Sequence, residues 1–410
     1  MKDPRETLAG GMEMGSLALQ GVRVLDLSRA LAGPYCTMML GDMGAEIIKV
    51  EMPRVGDEAR HYGPPFQEGE SSYFLSVNRN KRSMTLNLKS QKGKEILKEL
   101  AKRSDVLVEN FRPGTMDELG LGYEELSKLQ PRLVYCAITG FGSIGPEAQR
   151  PGYDLIAQGM GGIMSVTGPP EGPPYRVGIA QADIVAGMFA AYGIMVALFH
   201  RERTGEGQRL ETSLFQGQLA QLTFQAGRYF ALGVSPKPQG NQHPLIAPYE
   251  SFRTKDGHIN IAVGNNSLWS TLCRVLAMEA YEKDPRFESN PKRVENRPAL
   301  IQVIEERTMN YTSQELRDIL DKAGIPNGPV WTIGEALSSP QTMALDMVQE
   351  MDHPTAGRIK VTGIPIRMER SPGSLRIPPP LLGQHTQEIL REMLEMGDEE
   401  IGLLQQQGVI

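Results

Sequence analysis

The chain has 410 residues, 40% of them hydrophobic and 22% charged, a mixture that can bury a large core and excludes disorder as its main state. Its 43 Lys and Arg stand against 49 Asp and Glu, a net charge of −6, which argues against a nucleic-acid partner because such binding draws on a basic surplus. Cys36, Cys136 and Cys273 are far apart and lack CxxC spacing. Neither a disulfide framework nor a zinc site is expected from them, and a reduced, cytoplasmic setting fits.

The opening MKDPRETLAGGMEMG has no apolar stretch of the kind a signal peptide carries, and residues up to about Leu19 read as a loose arm. Gly21–Ser28 is a β-rich apolar run, followed by a turn at Gly33-Pro34, a helix-like stretch to Gly41, and a second apolar run, Ala45–Glu51. Strand, helix, strand at this spacing predicts a βαβ unit with a parallel sheet. The pattern continues with strands at Ser83–Leu88, Asp105–Phe111 and Leu133–Gly142, and helices at Gly93–Lys102 and Gly122–Leu129. Near-continuous Val/Ile/Leu runs belong to strands covered on both faces, so residues 1–145 predict a doubly wound α/β layer.

Tyr153–Gly162 is rich in small residues and reads as a helix, and Thr167–Gly178 is Pro/Gly-rich. Two long helices are predicted at about 184–203 and 212–231, separated by TGEGQ. The run Ile184–Phe199 is uncharged but falls short of the roughly 20 residues of a membrane span, so a buried core helix and no membrane association are expected. After a polar linker (Gly233–His243) the pattern changes to a strand at His258–Val263 and helices at Ser267–Leu276 and Pro298–Met309. Thr312 and Glu315 have capping-box spacing. Residues 326–380 are Pro-rich with a strand pair expected from RIKVTGI and PIRM, and Gln387–Gln406 is helical. The division expected is a large domain over 1–232, a smaller α+β domain over 240–325, and a linker with a C-terminal return over 326–410.

GFGSIG (Gly140–Gly145) matches GxGxxG after a strand, but Pro146 and polar residues follow where a dinucleotide site needs a helix to open. A tight turn is the better reading. The six histidines show no HxH or HxxxH pair, and GxSxG and GxxxxGK[ST] are absent, which leaves metal hydrolysis, a hydrolase elbow and P-loop chemistry without support. Arg54, Arg60, Arg79, Lys81, Arg82, Lys89 and Arg112 cluster near predicted strand ends, where they are either a solvated surface or a cover for a polyphosphate. Asp183, between a Pro/Gly segment and an apolar helix, is either that helix's N-cap or a nucleophilic carboxylate with small neighbours around it. Asp154 in PGYD has the same two readings.

Taken together, GVRVLDLSRALAGPYCTMMLGDMGAEIIKVE, NRNKRSMTLNLKS, DVLVENFRPG, GFGSIGPEAQRPGYDLIAQGMGG and DIVAGMFAAYGIMVALFHRERTGEGQ closely resemble the class III CoA-transferases. Relatives of that family include formyl-CoA:oxalate and carnitine CoA-transferases and the α-methylacyl-CoA racemases. The later segments HPLIAPYESFRTKDGHI, GIPNGPV, DHPTAGRIKVTG and PPPLLGQHT look most like the branch using succinyl-CoA and dicarboxylates such as glutarate.

The resemblance implies a Rossmann-like large domain plus a small one, two chains interlocked as a homodimer, and coenzyme A or acyl-CoA as substrate with no permanently bound cofactor. It implies that Asp183 attacks the donor thioester, forming an anhydride and then an aspartyl-CoA thioester before the acceptor acid takes the CoA. By the same correspondence Leu86, Asn87, Leu88 and Lys89 form the adenine pocket. Asn110 and Phe111 border the nucleotide, and Ala30, Leu31 and Ala32 lie beside the thioester. Arg54, Arg79 and Lys81 become phosphate contacts by charge and region. A loop over Gln239, Gly240, Asn241, Gln242 and His243 would exclude water. That loop has one glycine where the oxalate enzyme has a run, and Leu31 replaces a polar Gln; both point away from oxalate or formate. Asp154 matches a carboxylate near the nucleophile. The rival reading, a racemase, wants a His–carboxylate pair about the α-carbon, and no His lies between His61 and His200. For the distal carboxylate of a dicarboxylate, Arg29, Arg60 and Arg176 stay open.

Overall fold

The computed structural model describes residues 17–410; the expected loose arm lies almost wholly outside them. Six strands form one parallel sheet: β1 (Arg23–Asp26), β2 (Glu46–Glu51), β3 (Lys81–Thr85), β4 (Val106–Glu109), β5 (Val134–Thr139) and β6 (Arg209–Ser213). Their spatial order is β3-β2-β1-β4-β5-β6. This is the doubly wound order, in which the direction of winding reverses between β1 and β4 and opens a crevice at their carboxyl ends.

The pleat sends alternate residues to opposite faces. Leu25, Ile48, Leu107 and Tyr135 join one buried cluster, with Ile96, Leu97 and Leu100 of helix Gln91–Lys102. Val24, Ile47, Val106, Val108, Val134 and Cys136 join the other. Both faces are covered, hence the unbroken apolar runs in the sequence. The C-terminal helices Thr386–Leu394 and Asp398–Gln406 add Ile389, Leu390, Ile401 and Leu404 to the first cluster.

On the second face lie α1 (Ala32–Asp42), α2 (Asp154–Met160) and α3 (Gln181–Thr204). Helix α3 buries a stripe of small residues, Ala182, Ala186, Gly187, Ala190, Ala191 and Ala197. Gly187 is required there: a Cβ on it would stand 2.6 Å from the Ala32 carbonyl oxygen. The helix is long and apolar enough to cross a membrane by length and composition. The expected wholly buried helix is corrected in one respect, because Met188, Phe189, Tyr192, Met195, Val196 and Phe199 are exposed on its other face. The predicted helix over 212–231 is instead β6, then Leu214–Gln221 and Thr223–Leu232, broken where Thr223 takes φ 38°. PIRM is not a strand; Gly357–Thr362 pairs antiparallel with Val348–His353.

By internal contacts the chain divides into two units. One comprises 17–163, 177–224 and 341–410 and contains the parallel sheet. The other comprises 164–176 and 225–340. The second has a three-stranded antiparallel sheet of Tyr249–Arg253, His258–Ala262 and Asn327–Pro329. Its own core includes Phe252, Trp269, Leu272, Phe287 and Leu300. The Thr312–Glu315 capping box is formed, and a second one, Thr332–Glu335, was not anticipated.

Candidate active site

Two cavities meet at the crevice between β1 and β4. The first, about 410 Å³, is lined by Leu27, Val50, Met52, Val55, Leu86, Leu88, Lys89 and Leu119. The second, about 270 Å³, holds Asp183 among Ala30, Ala32, Thr139, Gly140, Arg150 and Tyr153. Arg29, Glu58 and Phe111 line both. A mostly apolar cleft, with Lys89, Glu51, Asp57 and Glu58 also in its wall, thus opens onto a small polar chamber lined by Asp183.

The backbone after β1 is held by side chains. Arg29 donates its N–H to Asn110 Oδ1 at 2.9 Å and accepts from Asn110 Nδ2 at 2.8 Å. Its guanidinium lies 5.1 Å from the Phe111 ring centroid. Phe111 is itself fixed by donating its N–H to the buried Glu109 carboxyl at 2.8 Å. Ala30 has φ 62°, a left-handed conformation unusual for a side chain with a Cβ. Leu31 caps α1 and Ala32 begins it.

Asp183 is the third residue of α3, and Ala180 is the N-cap, which corrects the N-cap reading. The capping work comes from Asp154, whose Oδ1 accepts the Ala182 N–H at 2.8 Å. Its Oδ2 accepts from Gln158 at 2.8 Å, and Gln158 in turn accepts the Val177 N–H at 2.8 Å. Asp154 therefore braces the start of α3, the helix that carries Asp183. Asp183 stays free of hydrogen bonds among the described residues; burial first, and then the Asp154 carboxylate, push its acid up to about 7. Tyr73, packed beside Ile184, has its phenol pushed up by burial and by Asp183.

Other expected positions fall differently. Asn87 serves the turn, donating its N–H to Val409 and accepting from Lys89 N. Arg54 is exposed and does not line the cleft. Arg79 and Lys81 are corrected as phosphate contacts: Arg79 is buried on Asp42, and Lys81 is buried on Asp26, Pro34 and Asn78. Arg60 is committed to Glu51 and the Pro380 carbonyl, and Arg82 to Glu46, Glu388 and Glu392. Of the basic cluster, Lys89 lines the cleft and Arg112 the Asp183 chamber. Arg176 and the loop Gln239–His243 belong to the second unit. There Gly240 donates to the Gly168 carbonyl, His243 donates its N–H to Tyr249, and Gln242 donates to Gln239, leaving Asn241 on the rim of a separate hollow. GFGSIG is a turn packed back to back on Gly152, and the next helix begins only at Asp154.

Tyr153, Arg150, Thr139, Glu58 and Tyr73 were not anticipated. Tyr153 and Arg150 sit in the same QRPGYD run as Asp154, a usable signal. Tyr73 and Glu58 carry none, because only the fold brings them to Asp183. No histidine lines the chamber among the described residues, so it does not favour the His–carboxylate pair a racemase wants.

Residues 19–386 match the family described as CoA-transferase family III. The succinyl-CoA:glutarate CoA-transferase of Mus musculus is 44% identical over 392 residues, 96% of this chain and 90% of that protein. The acetyl-CoA:oxalate CoA-transferase of Acetobacter aceti is 42% identical over 349 residues, 85% of this chain and 88% of that protein. A crystal structure of a CAIB/BAIF family protein from Brucella suis superimposes with a TM-score of 0.83 at 41% identity, covering 92% of this chain and 100% of that one. With a doubly wound sheet, an apolar cleft at its switch point and relatives of this kind along almost its whole length, the chain belongs to CoA-transferase family III and is a CoA-transferase.

Proposed function

We propose that this protein moves CoA from succinyl-CoA to a dicarboxylic acid such as glutarate, with Asp183 as the covalent relay. The observation that carries the reading is the Asp183 carboxylate, without a hydrogen-bond partner among the described residues, in a small chamber that adjoins a mostly apolar cleft. The cleft suits an adenine and pantetheine on Leu86, Leu88 and Phe111, with Lys89 near the phosphates.

In the proposed sequence a carboxylate oxygen of Asp183 attacks the thioester carbonyl. The C–S bond breaks, CoA leaves as a thiolate, and an acyl–aspartyl anhydride remains. The thiolate then attacks the Asp183 carbonyl, releasing the donor acid and forming an aspartyl-CoA thioester. The acceptor carboxylate attacks that thioester and expels the thiolate. The thiolate finally takes the acceptor's acyl carbon, and Asp183 is regenerated. Each step exchanges one acyl bond for another, so the chemistry calls on neither ATP nor a metal. Raising the Asp183 acid keeps its conjugate base reactive once ionised.

Arg112 and Arg150 line the chamber and Arg29 its mouth, cations available to a distal carboxylate. Glutarate follows the mouse relative; oxalate follows the Acetobacter aceti one, and is the acid to be told apart from it. Purified protein with succinyl-CoA and a panel of free acids, read by mass spectrometry of the acyl-CoA products, tests the reading. Glutaryl-CoA formed well ahead of oxalyl-CoA supports it, and no transfer to any acid refutes it.

The homodimer is part of the proposal. The apolar face of α3, from Met188 to Phe199, is what a second copy would cover, and the family resemblance supports that occupant. A monomer in sedimentation at working concentration would contradict it. Buried, unpaired Cys36, Cys136 and Cys273 support a reducing, cytoplasmic setting.

A further inference from the structure

The segment between β1 and α1 makes few bonds to other backbone, and side chains hold several of its polar groups. Ser28 donates its N–H to Asp26 at 3.0 Å, and its carbonyl accepts from Lys49 Nζ at 2.9 Å. Arg29 is held at both groups by Asn110. Ala30 donates its N–H to Asp57 Oδ1 at 3.0 Å. Lys49 and Asp57 are themselves paired at 2.8 Å, and both side chains are fully buried. One ion pair therefore grips the turn at two points, the Ser28 carbonyl and the Ala30 N–H. Its other contacts fix it in place: Asp57 donates its backbone N–H to Glu51 at 3.0 Å and accepts from Ala59 at 2.9 Å, and Glu51 is tied to Arg60 and Ser83.

A left-handed alanine costs free energy and persists only where its surroundings enforce it. Here the enforced residue lines the Asp183 chamber, and its neighbour Arg29 lines both cavities. We propose that Asp57, backed by Lys49, is a positioning residue for CoA transfer: it holds Ala30 left-handed and so sets the wall against which the thioester is presented to Asp183. This rests on the reading of Asp183 as the reacting group.

Asn at position 57 has a single acceptor oxygen, which can serve Lys49 or the Ala30 and Ala59 N–H groups but not both. Asp57→Asn is expected to lower kcat between about 10- and 100-fold while the KM for acyl-CoA changes by less than about three-fold. Glycine takes φ 62° without penalty, so adding Ala30→Gly is expected to recover at least about five-fold of the lost kcat. A purely structural role for Asp57 predicts no such rescue. Should Asp57→Asn fail to fold, Ala30→Val tests the same point with the ion pair intact, since a β-branched residue resists this backbone; it is expected to lose kcat at least about 10-fold. An unchanged kcat in Asp57→Asn, a missing rescue, or full activity in Ala30→Val would overturn the inference. Asp183→Asn is assayed alongside: if it is inactive, those results bear on Asp57 alone, whereas an active Asp183→Asn removes the reading beneath both.

Discussion

Asn110, the first residue after β4, holds Arg29, three residues beyond β1, through both of Arg29's backbone polar groups. The pair closes the point at which the sheet reverses its winding, and it sets Arg29 over Phe111 between the two cavities.

Asn110→Ala removes both bonds and leaves the Arg29 backbone to water. The two bonds are solvent-exposed, so the loss is about 1–2 kcal/mol. The expected outcome is a rise of roughly 10-fold in the KM for acyl-CoA with a smaller change in melting temperature. Steady-state kinetics and a thermal melt check it; an unchanged KM would show that the Arg29 turn does not shape the cleft.

The carboxyl of Asp183 links activity and stability through one titration. Its acid is raised from 3.8 to about 7, so the native state holds a proton that the unfolded chain has lost. Stability from this group is therefore full below about 4 and declines as pH rises to about 7. Asp183→Asn escapes that loss. At pH 8 it should melt higher than the parent, by on the order of 1–3 kcal/mol after allowing for partial exposure, with the difference shrinking toward pH 4. Activity runs the other way: if Asp183 is the reacting group as proposed, kcat/KM of the parent should rise with pH and level off above about 7 as it ionises. Melts of both proteins across pH, and a pH–rate profile, test the two halves separately.

Gly187 sits one turn beyond Asp183, against the carbonyl of Ala32. In Gly187→Ala a methyl would meet backbone at 2.6 Å, so α3 must move away from α1 and take Asp183 with it. A destabilisation of about 1–3 kcal/mol is expected, with kcat falling at least about 10-fold while CoA binding by calorimetry is kept. Wild-type kcat would show that the spacing of these two helices is not critical to the chemistry.

The sheet could be read from the sequence because both of its faces are covered: runs such as DVLVENF and LVYCAIT have no polar alternation to confuse with an amphipathic helix. The edge strand Arg209–Ser213 was missed because RLETS is short and mostly polar, and the apolar residues after it continue in helical spacing. The start of α3 is not marked in the sequence because its N-cap is Ala180 and the carboxylate that holds its first turn, Asp154, is distant in sequence. Asp183 stands out in the sequence as an N-cap or a nucleophilic carboxylate, and the family resemblance favours the second; Phe111 enters through the resemblance. The role of Lys81 and Arg79 was not legible, since a cation in a buried pair and one facing solvent look alike in a string of letters.

The most direct measurement is mass analysis of the peptide containing Asp183 after brief exposure of the protein to succinyl-CoA. A CoA adduct on Asp183, removed by hydroxylamine and missing from Asp183→Asn, is the expected result. An unmodified Asp183 in protein that is turning over, or transfer by Asp183→Asn at the parent's rate, would contradict the covalent relay.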